Sequence, residues 1–244
     1  MCSRLIGSDW KKSAHGAVHL WRVGLDASPE TASSMFDLLS REERERLERF
    51  RFPVLKHRFA VARGTLRQIV AQYVGGDPAG LQIGYERFGK PFVQYPLSNL
   101  HFNLSHSVDL MVVAVSMEMA LGVDIEREDR ELKFWDIAAH SFSKSEQEDL
   151  KLLEAEACKR AFFQIWTAKE AVLKASSLGF SVEPSRVEIG LTPLRLRAIK
   201  GAQECNLPWH LEPLSPRAGY IGALAVATEP SKIEYYDFQT GLVG

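Results

Sequence analysis

Residues 166–175, WTAKEAVLKA, constrain the fold of this chain more than any other segment, because they predict a helix with two chemically different faces. At about 100° per residue, one face carries Ile165, Ala168, Val172 and Ala175, and the other carries Phe163, Thr167, Glu170 and Lys174. Phe163 and Trp166 flank the two charged side chains. We therefore expect this second face to line a cleft, where a carboxylate can bind a metal or accept a proton.

Composition narrows the class of protein. A chain of 244 residues can bury a substantial core, as one large domain or two small ones. With a net charge of -1, the protein has no strong overall electrostatic field of the kind that marks a general nucleic-acid or membrane binder. Cys2, Cys158 and Cys205 are far apart and have no metal-site spacing, which suits free thiols in a reducing compartment. Without a signal-peptide core or an uninterrupted apolar span, we expect a cytoplasmic protein.

The pattern along the chain predicts an α+β protein in two halves. Strands are predicted at residues 19–25 and 83–87, with a helical region at 40–73 that breaks at Pro53. Two apolar runs, 110–115 and 121–126, predict two antiparallel strands, and the boundary between halves 1–117 and 118–244 lies between them. Ser143 and Glu146 form a capping-box pattern that opens a helix, and a further helix is predicted at 158–176. Strands follow at 187–191, 194–199, 209–213 and 220–227.

Two acidic residues in the segment GVDIE are the first candidate metal ligands. On a strand, Asp124 and Glu126 share one face with their alpha carbons about 7 Å apart, while Val123 and Ile125 point into the core. Mg²⁺ would relieve the repulsion between the carboxylates, with Glu170 as a third ligand. The alternative is an exposed strand face followed by a charged loop.

A local cationic segment begins at Arg51. Residues 41–67 hold nine Lys or Arg and four Glu, and all four acids precede Phe50. Arginines beyond Phe50 could grip phosphate groups bidentately, and Arg58 is the preferred member. The part before Phe50 is better explained as a solvated helix face with i,i+4 ion pairs.

Three shorter motifs leave two interpretations open. In FGKPF, Gly89 and Pro91 would fix the backbone around Lys90, although such a segment can also be only a turn. In FNLSHS, Ser105 and the following imidazole could bind a phosphate or a ribose, or the serine could serve a turn. Glu146 is either the reciprocal member of the capping box or an active-site carboxylate.

The order of these motifs carries more information than any one of them. FGKP, FNLSHS, GVDIE, FSKSE and WTAKEAVLKA, in that order over about residues 40–180, resemble the surfactin-type phosphopantetheinyl transferase family. The resemblance implies a monomeric pseudo-dimer of two similar α+β halves, each a small, mainly antiparallel sheet packed with a long helix. Coenzyme A and Mg²⁺ would bind between them, with the coenzyme's 3′-phosphate and adenine beside half 1–117 and the metal and catalytic residues in half 118–244.

The resemblance also implies an activity. The enzyme would move the 4′-phosphopantetheine arm of coenzyme A onto a serine of an acyl or peptidyl carrier protein, releasing adenosine 3′,5′-bisphosphate. Neither nucleic acid nor membrane would be a partner. The implied residue roles are these: Asp124, Glu126 and Glu170 hold Mg²⁺; Lys174 contacts the phosphate chain; Lys90, Ser105, His106 and Arg58 bind coenzyme A; Arg51 and Glu146 are further candidates. Asp124, Glu170 and Lys174 would be catalytic, with Glu170 accepting the serine proton directly or through a metal-bound water.

One departure and two alternatives accompany this interpretation. Phe59 stands where a hydroxyl residue can occur near the coenzyme, which bears on affinity for the 3′-phosphate. The same carboxylates would also suit a Mg²⁺-dependent phosphodiesterase or pyrophosphatase with water as the acceptor. A non-catalytic module that binds coenzyme A or a carrier protein is the second alternative. The sequence ranks neither the carrier proteins nor their biosynthetic pathways.

Overall fold

A computed structural model describes residues 16–129, 132–177, 181–201 and 209–239. Cys2 and Cys205 lie outside the described residues, while Cys158 is a buried free thiol. The described residues form six α-helices and eleven strands, so the α+β class predicted from the sequence is confirmed.

The first half begins with a strand, three helices and two hairpins. In chain order, these elements are β1 (Ala17–Gly24), α1 (Pro29–Asp37), α2 (Arg41–Glu48), α3 (Pro53–Val74), β2 (Gln82–Tyr85), β3 (Pro91–Tyr95), β4 (His101–Ser107) and β5 (Leu110–Ser116). Ser40 starts α2 with a capping box, and Pro53 occupies the first turn of α3, where its missing N–H costs nothing. The helical region therefore breaks at Pro53, as predicted.

The second half contains the other long helix. Its elements are β6 (Leu121–Arg127), α4 (Phe134–Ser141), α5 (Lys144–Lys151), α6 (Ala155–Ala175), a short 3₁₀ turn (Pro184–Arg186), β7 (Val187–Leu191), β8 (Leu194–Ile199), β9 (His210–Leu214), β10 (Tyr220–Val226) and β11 (Lys232–Phe238). The predicted capping box at Ser143 is confirmed: its Oγ accepts from the Glu146 N–H, and Glu146 Oε2 accepts from the Ser143 N–H.

Two sheets of unequal size form the framework. One has the strand order β11-β1-β5-β4, the other has the order β6-β10-β9, and β2-β3 and β7-β8 are separate hairpins. Pairing is antiparallel except between β1 and β11, which run parallel. The last strand of the chain thus returns to the sheet of the first half, a long-range pairing that strand periodicity does not reveal.

The expectation that the apolar runs at 110–115 and 121–126 pair as antiparallel strands is wrong. Both are strands, but β5 pairs with β1 and β4, whereas β6 pairs with β10. Each run is buried on both faces, because it lies in a sheet covered on both sides. The short connection between them therefore carries the chain from one sheet to the other.

An apolar layer joins the two sheets. Val18 and Val112 from the first sheet pack in one buried cluster with Leu121, Val123 and Leu224 from the second. The outer faces are covered by the long helices, α3 on the first sheet and α6 on the second. The halves are therefore fixed against each other, and side chains at the rim of the junction can form a common site.

None of the described helices combines the length and the apolar character that crossing a membrane requires.

Candidate active site

A cavity of about 1000 Å³ opens where the two halves meet. The first half contributes side chains from α2, α3, the turn before β3 and the end of β4, and the second half contributes mainly α6. The polar lining includes Arg46, Arg58, Lys90, His106, Ser107, Glu170 and Lys174. This volume lies within the range of sites for cofactor-sized ligands.

Gly122 allows β6 to approach α6 closely enough to build the site. A Cβ at this position would lie 2.3 Å from the Ala171 oxygen and 2.4 Å from the Ala175 nitrogen, both backbone atoms of the helix. Any side chain would therefore push the helix away. The close contact brings Glu170 and Lys174 of the helix beside Asp124 of the strand.

Asp124 is the most buried acidic group of the site. Its Oδ1 accepts from Lys174 Nζ at 2.7 Å and from Ser105 Oγ at 2.7 Å, while its buried Oδ2 has no hydrogen-bond partner. Lys174 Nζ also donates to the Val123 carbonyl at 3.2 Å. The carboxylate is thus held on one oxygen and left unsatisfied on the other, an arrangement that costs free energy in the absence of a further cation or donor.

Burial and mutual repulsion raise the pKa values of two carboxyl groups in this cluster. Desolvation raises the pKa of Asp124, although the Lys174 ammonium and the Ser105 hydroxyl act in the opposite direction. Desolvation also raises the pKa of Glu170, and the charges of Asp124 and Glu126 raise it further. The three carboxylates therefore influence one another electrostatically, as acidic groups around a cation site would.

The donor set fits a divalent cation, although the ligands are not assembled. Within the described ranges, no group of three or more His, Cys, Asp or Glu side chains is arranged to hold a metal ion. Lys174 instead supplies a single positive charge to Asp124. The fit rests on the unsatisfied Asp124 Oδ2, on oxygen donors of the type that Mg²⁺ prefers, and on the repulsion among the carboxylates.

Three of the predicted coenzyme ligands, Arg58, Lys90 and His106, line the cavity from the first half. Desolvation lowers the pKa of His106, and the nearby Lys174 ammonium lowers it further. Lys90 Nζ donates to the Ala175 carbonyl at 2.9 Å, so its ammonium lies at the C-terminal end of α6, where the helix dipole favours a cation. Burial lowers the pKa of Lys90. Lys90 thus also ties the two halves together.

Ser105 is not among the residues that line the cavity. It is buried, and its hydroxyl donates to Asp124. The structure therefore brings Ser105 to the acidic cluster on the other half, a placement that its spacing in FNLSHS does not reveal.

The predicted arginines differ in how they are placed. Arg58 lines the cavity, but its guanidinium binds both oxygens of Asp26, at 2.7 and 3.0 Å. Arg51 is exposed in the bend before α3 and is not among the lining residues. The sequence segment is cationic as predicted, but these two members are not equally placed to receive a ligand.

Arg46 is a lining residue that the motif reasoning passed over. Its guanidinium carbon lies 5.7 Å from the centre of the Phe59 ring, and Phe59 packs against Phe50 at 5.2 Å between ring centroids. No carboxylate in the described part of the chain forms an ion pair with Arg46. Sequence spacing did not reveal this role, because Arg46 follows Glu42 and Glu43 by four and three residues on the same face of α2, where an ion pair is expected instead.

Glu146 and Lys169 form a buried ion pair away from the cavity wall. The Lys169 Nζ lies 2.8 Å from Glu146 Oε2, and both side chains are almost fully buried. Lys169 also donates to the carbonyls of Pro184 and Val187, while Glu146 Oε1 accepts from the Ile189 N–H at 2.7 Å. The pair joins α5, α6 and β7. It supports the capping interpretation of Glu146, whereas a catalytic role finds no support in its location.

Comparisons with known proteins cover most of the chain. Residues 120–225 match the family model described as the 4′-phosphopantetheinyl transferase superfamily, and residues 25–118 match the one described as 4′-phosphopantetheinyl transferase, N-terminal. The chain is 36% identical over 212 residues to the 4′-phosphopantetheinyl transferase HetI of Nostoc, covering 86% of this chain and 87% of that protein.

More distant relatives carry similar names. A 4′-phosphopantetheinyl transferase of Bacillus subtilis is 33% identical over 61% of this chain and 64% of its own length. The human L-aminoadipate-semialdehyde dehydrogenase-phosphopantetheinyl transferase is 28% identical over 64% of this chain and 53% of its own length. The two family models together span both of the halves that enclose the cavity.

Proposed function

Since this chain belongs to the 4′-phosphopantetheinyl transferase superfamily, we propose that the cavity between its halves is the site where coenzyme A and a divalent cation meet the carrier protein. The chain is an enzyme of this class: it transfers the 4′-phosphopantetheine arm of coenzyme A to a serine of a carrier protein. Acyl and peptidyl carrier proteins are both candidate acceptors. The cytoplasmic location and the monomeric state expected from the sequence stay predictions.

The observation that carries the proposed site is the convergence of four charged side chains at the junction of β6 and α6. Asp124 and Glu126 come from the strand, and Glu170 and Lys174 come from the helix. Glu170 and Lys174 line the cavity, and Lys174 contacts Asp124 directly. Transfer of a phosphoryl group requires charge neutralisation and a proton acceptor at one place, and this set of groups can supply both.

Asp124, Glu126 and Glu170 would hold Mg²⁺, with the unsatisfied Asp124 Oδ2 as one donor atom. When bound, Mg²⁺ supplies positive charge that stabilises the pyrophosphate oxygens of coenzyme A as the P–O bond breaks. The same charge would offset the repulsion that raises the pKa of Glu170.

Lys174 and Glu170 would act on the two sides of the transferred phosphorus. The Lys174 ammonium lies at the cavity wall and can donate to a phosphate oxygen, stabilising the negative charge of the transition state. Glu170 would accept the proton of the carrier serine, directly or through a water molecule. The serine oxygen then bonds to phosphorus, and adenosine 3′,5′-bisphosphate leaves.

The first half would bind the nucleotide end of coenzyme A. Arg46, Lys90 and His106 place a guanidinium, a lysine amine and an imidazole around the same cavity. Arg46 has no acidic partner among the described residues, so it is better placed than Arg58 to bind the 3′-phosphate. Phe59 offers an aromatic face, where a hydroxyl would offer a hydrogen bond.

A transfer assay tests this function. Purified protein is incubated with coenzyme A, Mg²⁺ and an apo-carrier protein, and mass spectrometry follows the gain of one phosphopantetheine arm. We expect Asp124→Asn and Glu170→Gln to abolish the gain while circular dichroism shows an intact fold. Glu45→Gln, an exposed change on α2, is the matched control and should leave transfer unchanged.

The same assay separates the alternatives. Release of adenosine 3′,5′-bisphosphate without a carrier protein would indicate a hydrolase, and binding of coenzyme A without either product would indicate a non-catalytic module. Neither alternative is supported by the relatives. Full transfer by Asp124→Asn and Glu170→Gln would contradict the proposed catalytic site even if the transferase activity itself is present.

A further inference from the structure

Ser107 lies at the end of β4 and reaches an acidic residue of the other half. Its hydroxyl donates to Glu126 Oε2 at 2.7 Å. The side chain is almost fully buried, at 4% exposure, yet it forms part of the cavity wall. Ser107 is therefore the counterpart of Ser105, which donates to Asp124 from the same strand.

The backbone determines which way the Ser107 hydroxyl points. The Arg127 N–H donates to Ser107 Oγ at 3.2 Å and so occupies a lone pair of that oxygen. A serine hydroxyl has only one proton, and the acceptor within reach is the Glu126 carboxylate. The bond thus restrains one oxygen of the Glu126 carboxylate.

The turn that follows Ser107 is held in place with unusual backbone geometry. Val108 has a φ of 54°, in the left-handed region that a β-branched residue rarely adopts. The next residue, Asp109, accepts from Arg217 at 2.7 Å and from the Tyr220 hydroxyl at 2.6 Å, and both donors belong to the second half. Backbone strain of this kind persists only where the surroundings enforce it, often beside a functional group that must be placed accurately.

We infer that Ser107 is a positioning residue that aims the Glu126 carboxylate at the divalent cation. This inference rests on the proposed function, in which Asp124, Glu126 and Glu170 hold that cation. Without the hydroxyl, Glu126 loses this hydrogen bond, and its carboxylate is held less firmly before the cation binds. Loss of a hydrogen bond to a metal ligand typically lowers metal affinity by about 10- to 100-fold.

The test measures cation binding directly. Mn²⁺, which accepts the same oxygen ligands as Mg²⁺, is titrated into the purified full chain while electron paramagnetic resonance reports the free ion. We expect Ser107→Ala to weaken Mn²⁺ binding by roughly 10-fold and to raise the Mg²⁺ concentration for half-maximal transfer. Ser107→Thr, which keeps the hydroxyl, should bind Mn²⁺ nearly as the wild type does.

Ser116→Ala is the matched control. Ser116 is also buried, but it lies at the opposite end of the β4-β5 hairpin, where it accepts from the Glu118 and Met119 N–H groups. Wild-type Mn²⁺ affinity in Ser107→Ala, or an equal loss in Ser116→Ala, would overturn the inference. Unchanged Mn²⁺ affinity in Glu126→Gln would instead contradict the proposed metal site, so the two failures are distinguishable.

Discussion

Lys174 Nζ and Asp124 Oδ1 lie 2.7 Å apart, so the helix α6 and the strand β6 are joined by an ion pair between two groups of the proposed active site. The Asp124 side chain is 9% exposed and that of Lys174 is 29% exposed. The ammonium therefore compensates a buried carboxylate and also remains accessible from the cavity. A residue in this position can stabilise the ligand-free protein and contact a phosphate in the complex.

We predict that Lys174→Met lowers both transfer and stability. Removing the ammonium leaves Asp124 without its cation, and the free energy of unfolding should fall by about 1–3 kcal/mol. In urea denaturation at pH 7, the double variant Asp124→Asn/Lys174→Met should lose less free energy of unfolding than the two single variants lose together. Arg41→Met, which breaks the exposed pair with Glu45, is the control and should change stability by under about 0.5 kcal/mol. Additive losses would show that Lys174 and Asp124 do not interact.

We predict that Gly122→Ala separates α6 from β6. The added methyl group would meet backbone atoms at 2.3–2.4 Å, which no side-chain rotation can relieve. Overpacking should lower the free energy of unfolding by about 1–3 kcal/mol and reduce transfer by moving Glu170 and Lys174. Chemical denaturation and the transfer assay measure the two effects. Gly24→Ala, where a Cβ meets nothing within 4 Å, is the control, and equal behaviour of the two variants would refute this explanation.

We predict that the Glu146–Lys169 pair serves stability and has no direct part in transfer. Lys169→Met leaves a buried carboxylate without its cation and should lower the free energy of unfolding by about 3–5 kcal/mol. The double variant Glu146→Gln/Lys169→Met removes both charges and should recover part of that loss. Thermal unfolding of the three variants measures the recovery. A stable Glu146→Gln variant with no transfer activity would show instead that Glu146 acts in catalysis.

We predict that stability falls as the pH decreases below about 6.5, the ordinary pKa of histidine, and that His19 contributes to this loss. Burial lowers the pKa of His19, although Glu234 acts in the opposite direction. Below pH 6.5 the unfolded chain therefore binds more protons than the folded chain, and stability is lost as the pH falls towards the lowered pKa.

Burial disfavours the charged form of His19, while the groups around it act in both directions. Its Nδ1 lies 2.7 Å from the Tyr73 hydroxyl of α3, its Nε2 lies 3.2 Å from a Glu234 oxygen of β11, and Lys232 on that strand adds a repelling charge. When urea denaturation is measured between pH 5 and pH 8, the free energy of unfolding should change less with pH for His19→Gln than for the wild type. His140→Gln, on the exposed end of α4, is the control, and an equal change with pH in His19→Gln and the wild type would exclude His19 as a source.

We predict that Arg46→Ala raises the KM for coenzyme A by roughly 10-fold, because a charge-assisted hydrogen bond to phosphate is worth about 1.5–3 kcal/mol. The KM for dephospho-coenzyme A should change little, since that compound lacks the 3′-phosphate. Arg51→Ala provides the comparison within the same cationic segment, and its exposed location predicts no change with either substrate. An equal effect of Arg46→Ala on both substrates would place its contact elsewhere on the coenzyme.

Local features of the fold could be predicted because their determinants lie within a few residues. The break at Pro53 and the cap at Ser143 each depend on short-range sterics and hydrogen bonds. The grouping of Glu170 and Lys174 on one side of α6 follows from helical periodicity alone. The family resemblance then connected these local features to one activity, which the relatives support.

Contacts between distant segments could not be predicted in the same way. The pairing of β11 with β1, the capture of Arg58 by Asp26 and the burial of Lys169 against Glu146 join residues that no sequence spacing relates. In the sequence, Arg58 is a free cation and Lys169 is one more charge on a helix.

The sequence by itself predicted the two long helices, most of the described strands and the set of acidic and basic groups available for chemistry, because periodicity and capping act over a few residues. Only the tertiary structure decided which of these groups face the cavity, since desolvation and pairing depend on what packs against each side chain from elsewhere in the chain. Ser107 shows the difference: in the sequence it is only the last residue of the FNLSHS motif, and its contact with Glu126 exists only because β4 and β6 meet.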